Sequence, residues 1–401
     1  MFGNKQMTQK SKNKNRIRPI LLAVVITTVI SVFISFVLFY FVFFANNRFV
    51  KLKELEALVK NNYYGEYDET DVVDALLDGY IDGLGDKYSD YLTAEETEER
   101  HSSLEGNGKG IGVIVSAHPD TGNIFVKRVY DDCPASKAGI LAGDQITAID
   151  GVTVEQSGYT SAVDSIIRDI GDTVTLTVLR DAKSFDVSLT YSEFKTQTVF
   201  GSMVGEYAYI AITSFNNNTP VQFENTVNRL ISSGAEGIIF DVRSNGGGTV
   251  DSVTEMVDFL CPEGTVMSVK YSNGKKEVIA TSDASEINLP MVVLTDGNTA
   301  SAAELFTASL KDFGKGVSIG STTYGKGVMQ TTFSLSDGSS AVLTVAEFFP
   351  NSGKSFNGVG ISPDIEITLT DEQKKYIHLL SAEDDPVITA AVKWLKDEAN
   401  Q

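Results

Sequence analysis

Cysteine and histidine are both scarce in this chain. Its 401 residues include two cysteines, Cys133 and Cys261, and three histidines, His101, His118 and His378. Two thiols exclude a multi-disulfide framework and a four-cysteine zinc site. No histidine stands in an HExxH or other paired metal spacing, so neither a metal nor a cofactor is expected. A histidine-based catalytic centre has no local motif behind it. Positive charge is also short, with 33 Lys plus Arg against 53 Asp plus Glu and a net charge of -20. That sign excludes a general nucleic-acid binder, because neutralising phosphates needs clustered Lys and Arg. What is plentiful is apolar: 42% of residues are hydrophobic, which excludes a wholly disordered chain. The length implies two or three folding units.

The first 46 residues carry the strongest single signal. Residues 1–19 hold Lys5, Lys10, Lys12, Lys14, Arg16 and Arg18 and no acid, and Ile20 to Ala45 then runs without a charge. At about 1.5 Å per residue such a run is long enough for a hydrocarbon core of about 30 Å. Its second half is aromatic, from Phe33 to Phe44. The reading is an uncleaved single-pass anchor over 20–45, with the basic flank 1–19 on the cytoplasmic side. A cleavable signal peptide is the alternative, although its apolar stretch would be shorter and no A-x-A site follows. All the acidic residues then lie on the outer side, in an extracytoplasmic, membrane-attached body.

Beyond the anchor the pattern changes twice. Residues 46–103 read as helical, with Leu52, Leu55, Leu58 and Val59 at helical spacing and Val72, Val73, Leu76 and Leu77 repeating it. Asp68 and Thr70 suit a helix start, and Thr93 with Glu96 forms a capping box. From 104 to 192 short β-rich runs alternate with Gly turns, around a helix expected over 161–170. From 193 to 380 strands alternate with helices, which predicts an α/β core whose strand ends deliver loops. Residues 381–401 form a terminal helix carrying Trp394, the only tryptophan.

Three motifs in the last region could carry chemistry, and each has a plain structural reading. In "MVVLTDGNTASAAELF" a buried strand meets a helix near Ser301, whose first N–H groups could hold an oxyanion. Ser301 and Glu304 also fit an ordinary capping box. "GSTTYGKGVMQ" nearly matches a phosphate-binding loop, but Gly327 stands where Ser or Thr would bind Mg²⁺. It places Lys326 in a glycine turn. Burial there would lower its pKa and let a neutral amine take a serine proton, whereas an exposed lysine would merely be solvated. "IIFDVRSNGGGTV" ends a strand at Asp241 and Arg243, and its three glycines allow close backbone approach. It would otherwise be a flexible connection with an ion pair. Together the motifs supply a nucleophile, a base, an orienting glutamine (Gln330) and oxyanion donors without histidine.

That combination resembles the carboxy-terminal processing proteases, PDZ-containing serine peptidases with a Ser-Lys dyad, over roughly residues 50–400. The family pattern D-L-R-x-N-P-G-G stands here as Asp241 to Gly248, with Gly246 in place of proline. T-A-S-A-A-E is Thr299 to Glu304, T-Y-G-K-G-x-x-Q is Thr323 to Gln330, and 343–365 is also family-like. The resemblance implies an α/β protease core (mixed α+β) with an inserted PDZ domain, behind the helical segment and the anchor. It implies Ser301 as nucleophile, Lys326 as general base, Gln330 as its orienting group, and Gly247 and Ala302 as oxyanion donors. Gly110, Ile111, Gly112 and Val113 match the PDZ carboxylate-binding loop, onto which a peptide adds as a strand. Cys133 stands where serine is common and reads as a packing residue. Arg168, on the expected PDZ helix, is a candidate for relaying peptide occupancy to the core. The implied partners are unstructured or C-terminal segments of exported proteins, with apolar tails preferred. The membrane is engaged by one helix, a homo-oligomer is left open, and no nucleic acid is expected. A noncatalytic PDZ scaffold and a ligand-binding protein at the external membrane surface remain the rival readings.

Overall fold

The computed structural model describes residues 19, 22–38, 40 and 49–398. Of the expected anchor, residues 22–38 are helical, while 20, 21, 39 and 41–45 lie outside the described residues, as do 1–18 of the basic flank. The continuous described stretch spans roughly 26 Å at about 1.5 Å per residue. Among the described residues no helix is long and apolar enough to cross a membrane. The chain divides into two compact units, 1–73 and 74–401. In the first, α1 (Val50–Asn62) leaves Leu55 and Leu58 exposed. Helix α2 (Glu69–Asp82) opens where the Thr70 N–H donates to Asp68 Oδ1 at 2.7 Å.

A short strand, β1 (Asp90–Leu92), interrupts the region read as helical. It precedes α3 (Ala94–Leu104), whose capping box forms as expected: the Thr93 N–H donates to Glu96 Oε2 at 2.9 Å, and the Glu96 N–H to Thr93 Oγ1 at 3.3 Å.

The β-rich insert follows. Its strands are β2 (Asn107–Gly110), β3 (Val113–Ala117) and β4 (Ile124–Val129). After the short α4 (Pro134–Lys137) come β5 (Gln145–Ile149), β6 (Val152–Thr153), α5 (Val154–Ser157) and α6 (Tyr159–Ser165). Strands β7 (Thr173–Arg180), β8 (Lys183–Thr190) and β9 (Ser192–Lys195) end it. The antiparallel sheet runs β3-β4-β5-β7-β8, with β6 beside β5, so β3 is an open edge. Entry and exit are zipped together by β2 against β9, with Gly110 opposite Ser192. The helix expected over 161–170 begins earlier and stops at Ser165, and Ile167 and Ile170 are exposed.

The remainder alternates as expected. Strands β10 (Val199–Val204) and β11 (Tyr207–Ile212) lead to α7 (Thr219–Ser232), β12 (Ile238–Asp241) and α8 (Val250–Leu260). Then come β13 (Gly264–Tyr271), β14 (Lys276–Ser282), β15 (Met291–Thr295), α9 (Ala302–Asp312) and β16 (Gly316–Gly320). Strands β17 (Val328–Ser334), β18 (Ser340–Phe349) and β19 (Ile365–Glu366) precede α10 (Asp371–Tyr376) and α11 (Pro386–Glu398). The central sheet is β10-β11-β12-β15-β16-β19, parallel except for β10. β12 and β15 are wholly buried, as continuous apolar strands covered on both faces should be. One face carries α7, α8 and α9 over a phenylalanine cluster in which Phe223 and Phe240 meet Phe306 nearly edge to face. Val387, Ile388, Ala391 and Leu395 of α11 cover the other face. A second sheet, β1-β18-β13-β14 with β17 on β18, packs beside the first.

Candidate active site

The site sits at the C-terminal ends of the parallel strands β12 and β15, where an open α/β sheet delivers its loops. Ser301 lies between β15 and α9 with φ 58° and ψ -117°. A non-glycine residue there costs roughly 1–3 kcal/mol and needs its surroundings to hold it. The surroundings do so. Thr299 Oγ1 donates to the Val242 carbonyl at 2.9 Å, and the Ala300 N–H donates to the Asn245 carbonyl at 2.9 Å. The glycine loop is thereby fastened to the residues before Ser301. Gly247, at φ 101°, packs so closely that an added Cβ would lie 2.9 Å from the Ala300 oxygen, the Ala302 nitrogen and Ser301 Cβ.

Glu304 joins this elbow to the lysine loop. Its side chain is fully buried in the first turn of α9. It accepts from the Ser301 N–H (2.8 Å), Thr323 Oγ1 (2.6 Å), the Gly325 N–H (2.7 Å) and the Lys326 N–H (2.8 Å). One carboxylate thus fixes the backbone of both Ser301 and Lys326. Sequence reasoning sees only a helix cap at Glu304. The recognisable signal is an acid on a helix that is otherwise buried, because charge is buried only where it is paired or hydrogen-bonded.

The Lys326 side chain is half buried, and its Nζ lies 4.8 Å from the centre of the Tyr88 ring. Burial pulls its pKa below the ordinary lysine value, the Arg100 and Lys87 charges add to this, and Asp86 opposes it. Gln330 is not placed on Lys326. Its Nε2 donates to Thr344 Oγ1 at 3.2 Å and to the Val328 carbonyl at 3.4 Å, beside a bulge at Met329 and Gln330 that turns the strand. The Gly247 N–H likewise departs from its expected role, because Asn245 Oδ1 accepts it at 2.8 Å. Ala302 opens α9, so its N–H is among the first-turn donors without a partner inside the helix.

Asp241 and Arg243 form the anticipated ion pair, and it extends further. Arg243 donates Nε and Nη2 to Asp241 at 2.9 and 2.7 Å, and its Nη1 meets Asp385 at 2.8 Å. The Tyr209 hydroxyl donates to Asp241 at 2.7 Å. Burial alone would raise the Asp241 pKa, but the Arg243 charge and these hydrogen bonds hold it below the usual carboxylate value. The network pins the glycine loop to the start of α11.

In the insert, Gly110 to Val113 leads into the open edge β3. The Ile111 carbonyl accepts the Ala135 N–H at 2.9 Å, and the Gly112 carbonyl accepts the Tyr130 N–H at 3.0 Å. A trans peptide points its C=O and the following N–H in opposite directions. The N–H groups of Gly112 and Val113 therefore face away from the 130–135 segment. The buried Cys133 thiol packs behind Gly112 and donates to its carbonyl at 3.3 Å. Arg168 stands beyond α6 and not on it. It donates to the carbonyls of Ser165 (3.1 Å) and Thr173 (2.8 Å) and to Asp150, all within the insert. The insert touches the core elsewhere: the Arg128 guanidinium lies 4.5 Å from the Phe200 ring centre, and the Tyr376 hydroxyl donates to Asp120 at 2.6 Å.

The architecture has known counterparts. A model of peptidase family S41 matches residues 206–367, and a PDZ-domain model matches 109–190. The chain is 32% identical over 335 residues to the carboxy-terminal processing protease CtpA of Bacillus subtilis (strain 168), across 82% of this chain and 71% of that protein. This chain belongs to peptidase family S41. A second relative, a probable CtpA-like serine protease of Staphylococcus aureus (strain N315), is 31% identical over 325 residues, covering 79% of this chain and 64% of that protein. Among solved structures, a putative S41 protease from Bacteroides fragilis NCTC 9343 superposes with a TM-score of 0.59 at 16% identity, over 84% of this chain and 91% of that one, and so shares the fold.

Proposed function

We propose that the chain is a serine endopeptidase working through a Ser301–Lys326 dyad. The observation that carries this reading is the Glu304 carboxylate, which holds the backbones of the serine elbow and the lysine loop on one group. Neutral Lys326 takes the Ser301 hydroxyl proton, and Oγ attacks the scissile carbonyl carbon. The Ala302 N–H donates to the resulting oxyanion, joined by the Gly247 N–H once Asn245 releases it. The lysine ammonium gives its proton to the leaving amine as the peptide bond breaks. A water then loses a proton to Lys326 and attacks the acyl carbon, the ester C–O bond to Ser301 Oγ breaks, and Oγ takes its proton back from the Lys326 ammonium. Gln330 orients the lysine after turning from Thr344. The N–H groups of Gly112 and Val113, which face away from the 130–135 segment, capture a tail carboxylate, and apolar C-terminal segments of exported proteins add along β3. The charge-free run with its basic flank supports a single-pass tether with the catalytic body outside the cytoplasm.

The test incubates the full-length chain with an unstructured protein ending in apolar residues, beside Ser301→Ala and Lys326→Ala. Fragments are followed by mass spectrometry. Cleavage by the parent alone is expected. Cleavage that survives both substitutions would refute the dyad. The scaffold reading draws on the engaged Gly247 N–H and the averted Gln330. It predicts tail binding by all three proteins and cleavage by none.

A further inference from the structure

The turn at residues 86–89 reaches the proposed base from outside every motif that defines the site. Ser89 Oγ donates to Asp86 Oδ2 at 2.6 Å, and the Tyr88 N–H donates to Asp86 Oδ1 at 3.3 Å, which closes the turn. Strand β1 then pairs with β18 through Asp90–Val342, Tyr91–Ala341 and Leu92–Ser340. The Thr344 N–H donates to Ser89 Oγ at 3.1 Å, so the turn is fastened to the residue that also accepts the Gln330 amide. The product of this fastening is the placement of the Tyr88 ring, 4.8 Å from Lys326 Nζ. The same ring lies 4.7 Å from Lys87 Nζ, which is itself 4.9 Å from the Tyr324 ring.

We propose that Tyr88 is a positioning residue for Lys326: its ring covers the amine, keeps water from it and holds it in place as a base. This rests on the reading of Lys326 as the general base. Two effects of the ring oppose each other. A cation–π contact favours the ammonium by about 0.5–1 kcal/mol at an exposed site, whereas removing water favours the neutral amine by up to several pKa units. The charged groups facing the amine are Arg100 on α3, and Lys87 and Asp86 on the turn itself, while Glu304 takes the Lys326 N–H. The ring stands over the amine at 4.8 Å, and burial leads among the causes that lower the Lys326 value.

Two readouts on the full-length chain test this, for the parent, Tyr88→Ala, Tyr88→Phe and Tyr88→Leu, each first checked for fold by circular dichroism. One is the pH profile of kcat/KM on the apolar-tailed substrate. The other is the pH midpoint for acylation of the Lys326 amine by acetic anhydride, read by peptide mass spectrometry, which needs no turnover. Tyr88→Ala should move both curves to higher pH by about one unit, a loss of about tenfold on the acid limb. Tyr88→Phe and Tyr88→Leu keep an apolar cover and should follow the parent. Curves for Tyr88→Ala that superpose on the parent, or move to lower pH, would overturn the proposal, and so would a Leu variant behaving like Ala. Lys326→Ala separates the two layers. Full turnover without Lys326 would defeat the base assignment, while the labelling midpoint would still judge Tyr88.

Discussion

Glu304 receives three backbone N–H groups and one hydroxyl at a fully buried position. Its removal strands several buried donors, each costing about 1–3 kcal/mol. Glu304→Ala should therefore lower stability by about 3–5 kcal/mol in a urea titration and abolish turnover. Gly247→Ala acts on the same elbow by another route. The new Cβ at φ 101° would press on Ala300, Ser301 and Ala302. A shift of about 1 Å there costs on the order of 100-fold in kcat, which single-turnover assays would read. These two residues differ in how visible they are before folding. Gly247 stands in a glycine run whose close backbone approach is legible. Glu304 looks like a cap, because a sequence does not reveal that a second loop, at Thr323 to Lys326, will fold onto it.

Elements divide along the same line. Strands β12 and β15 and helices α8 and α9 are legible because continuous apolar runs and helical spacing are local properties. Strand β1 is not: three residues with one buried side chain form a strand only because β18 lies alongside. The β17 bulge hides in the same way, and with it the true direction of Gln330. The helix expected over 161–170 fails for a related reason. The apolar spacing of Ile166, Ile167 and Ile170 invites a helix, but Arg168 bonds the carbonyls of Ser165 and Thr173 and Asp150, which ties the chain into a turn. In the PDZ insert, the proposed carboxylate loop depends on Gly112. Gly112→Ala would set a Cβ 2.3 Å from Cys133 Cβ at φ 83°. Tail-peptide affinity, followed by fluorescence anisotropy, should fall by at least about tenfold, equivalent to roughly 1.4 kcal/mol. Cleavage of a short peptide lacking an apolar tail should change little.

At the scale of the whole molecule, charge and acidity govern behaviour. The net charge of -20 favours encounter with basic substrates, and salt screens that attraction. The kcat/KM for a lysine-rich unstructured substrate should fall as salt rises, while that for a glutamate-rich one should rise. On the proposed dyad, activity should decline toward acid as the Lys326 amine takes up a proton, since only its neutral form could accept one from Ser301. Stability follows a different sign argument. Asp241 and Asp364 have folded-state pKa values below the ordinary 3.8. Their contribution is present above that value and is lost as pH falls through the lower folded values. Turnover should therefore fail at a higher pH than the fold, a gap that a rate profile and a circular dichroism titration on one preparation would display.

Both cysteines are free and buried, and burial pushes the Cys261 thiol up to about 12. Neither is a good nucleophile toward a dissolved maleimide or methanethiosulfonate reagent. The chain can therefore carry spectroscopic probes without first being stripped of its native thiols. Cysteines placed at the exposed Val152 in the PDZ insert and Val278 in the catalytic core would be the only readily labelled positions. A spin-label pair at those sites would turn the separation of the two domains into a distance measured while substrate is being consumed.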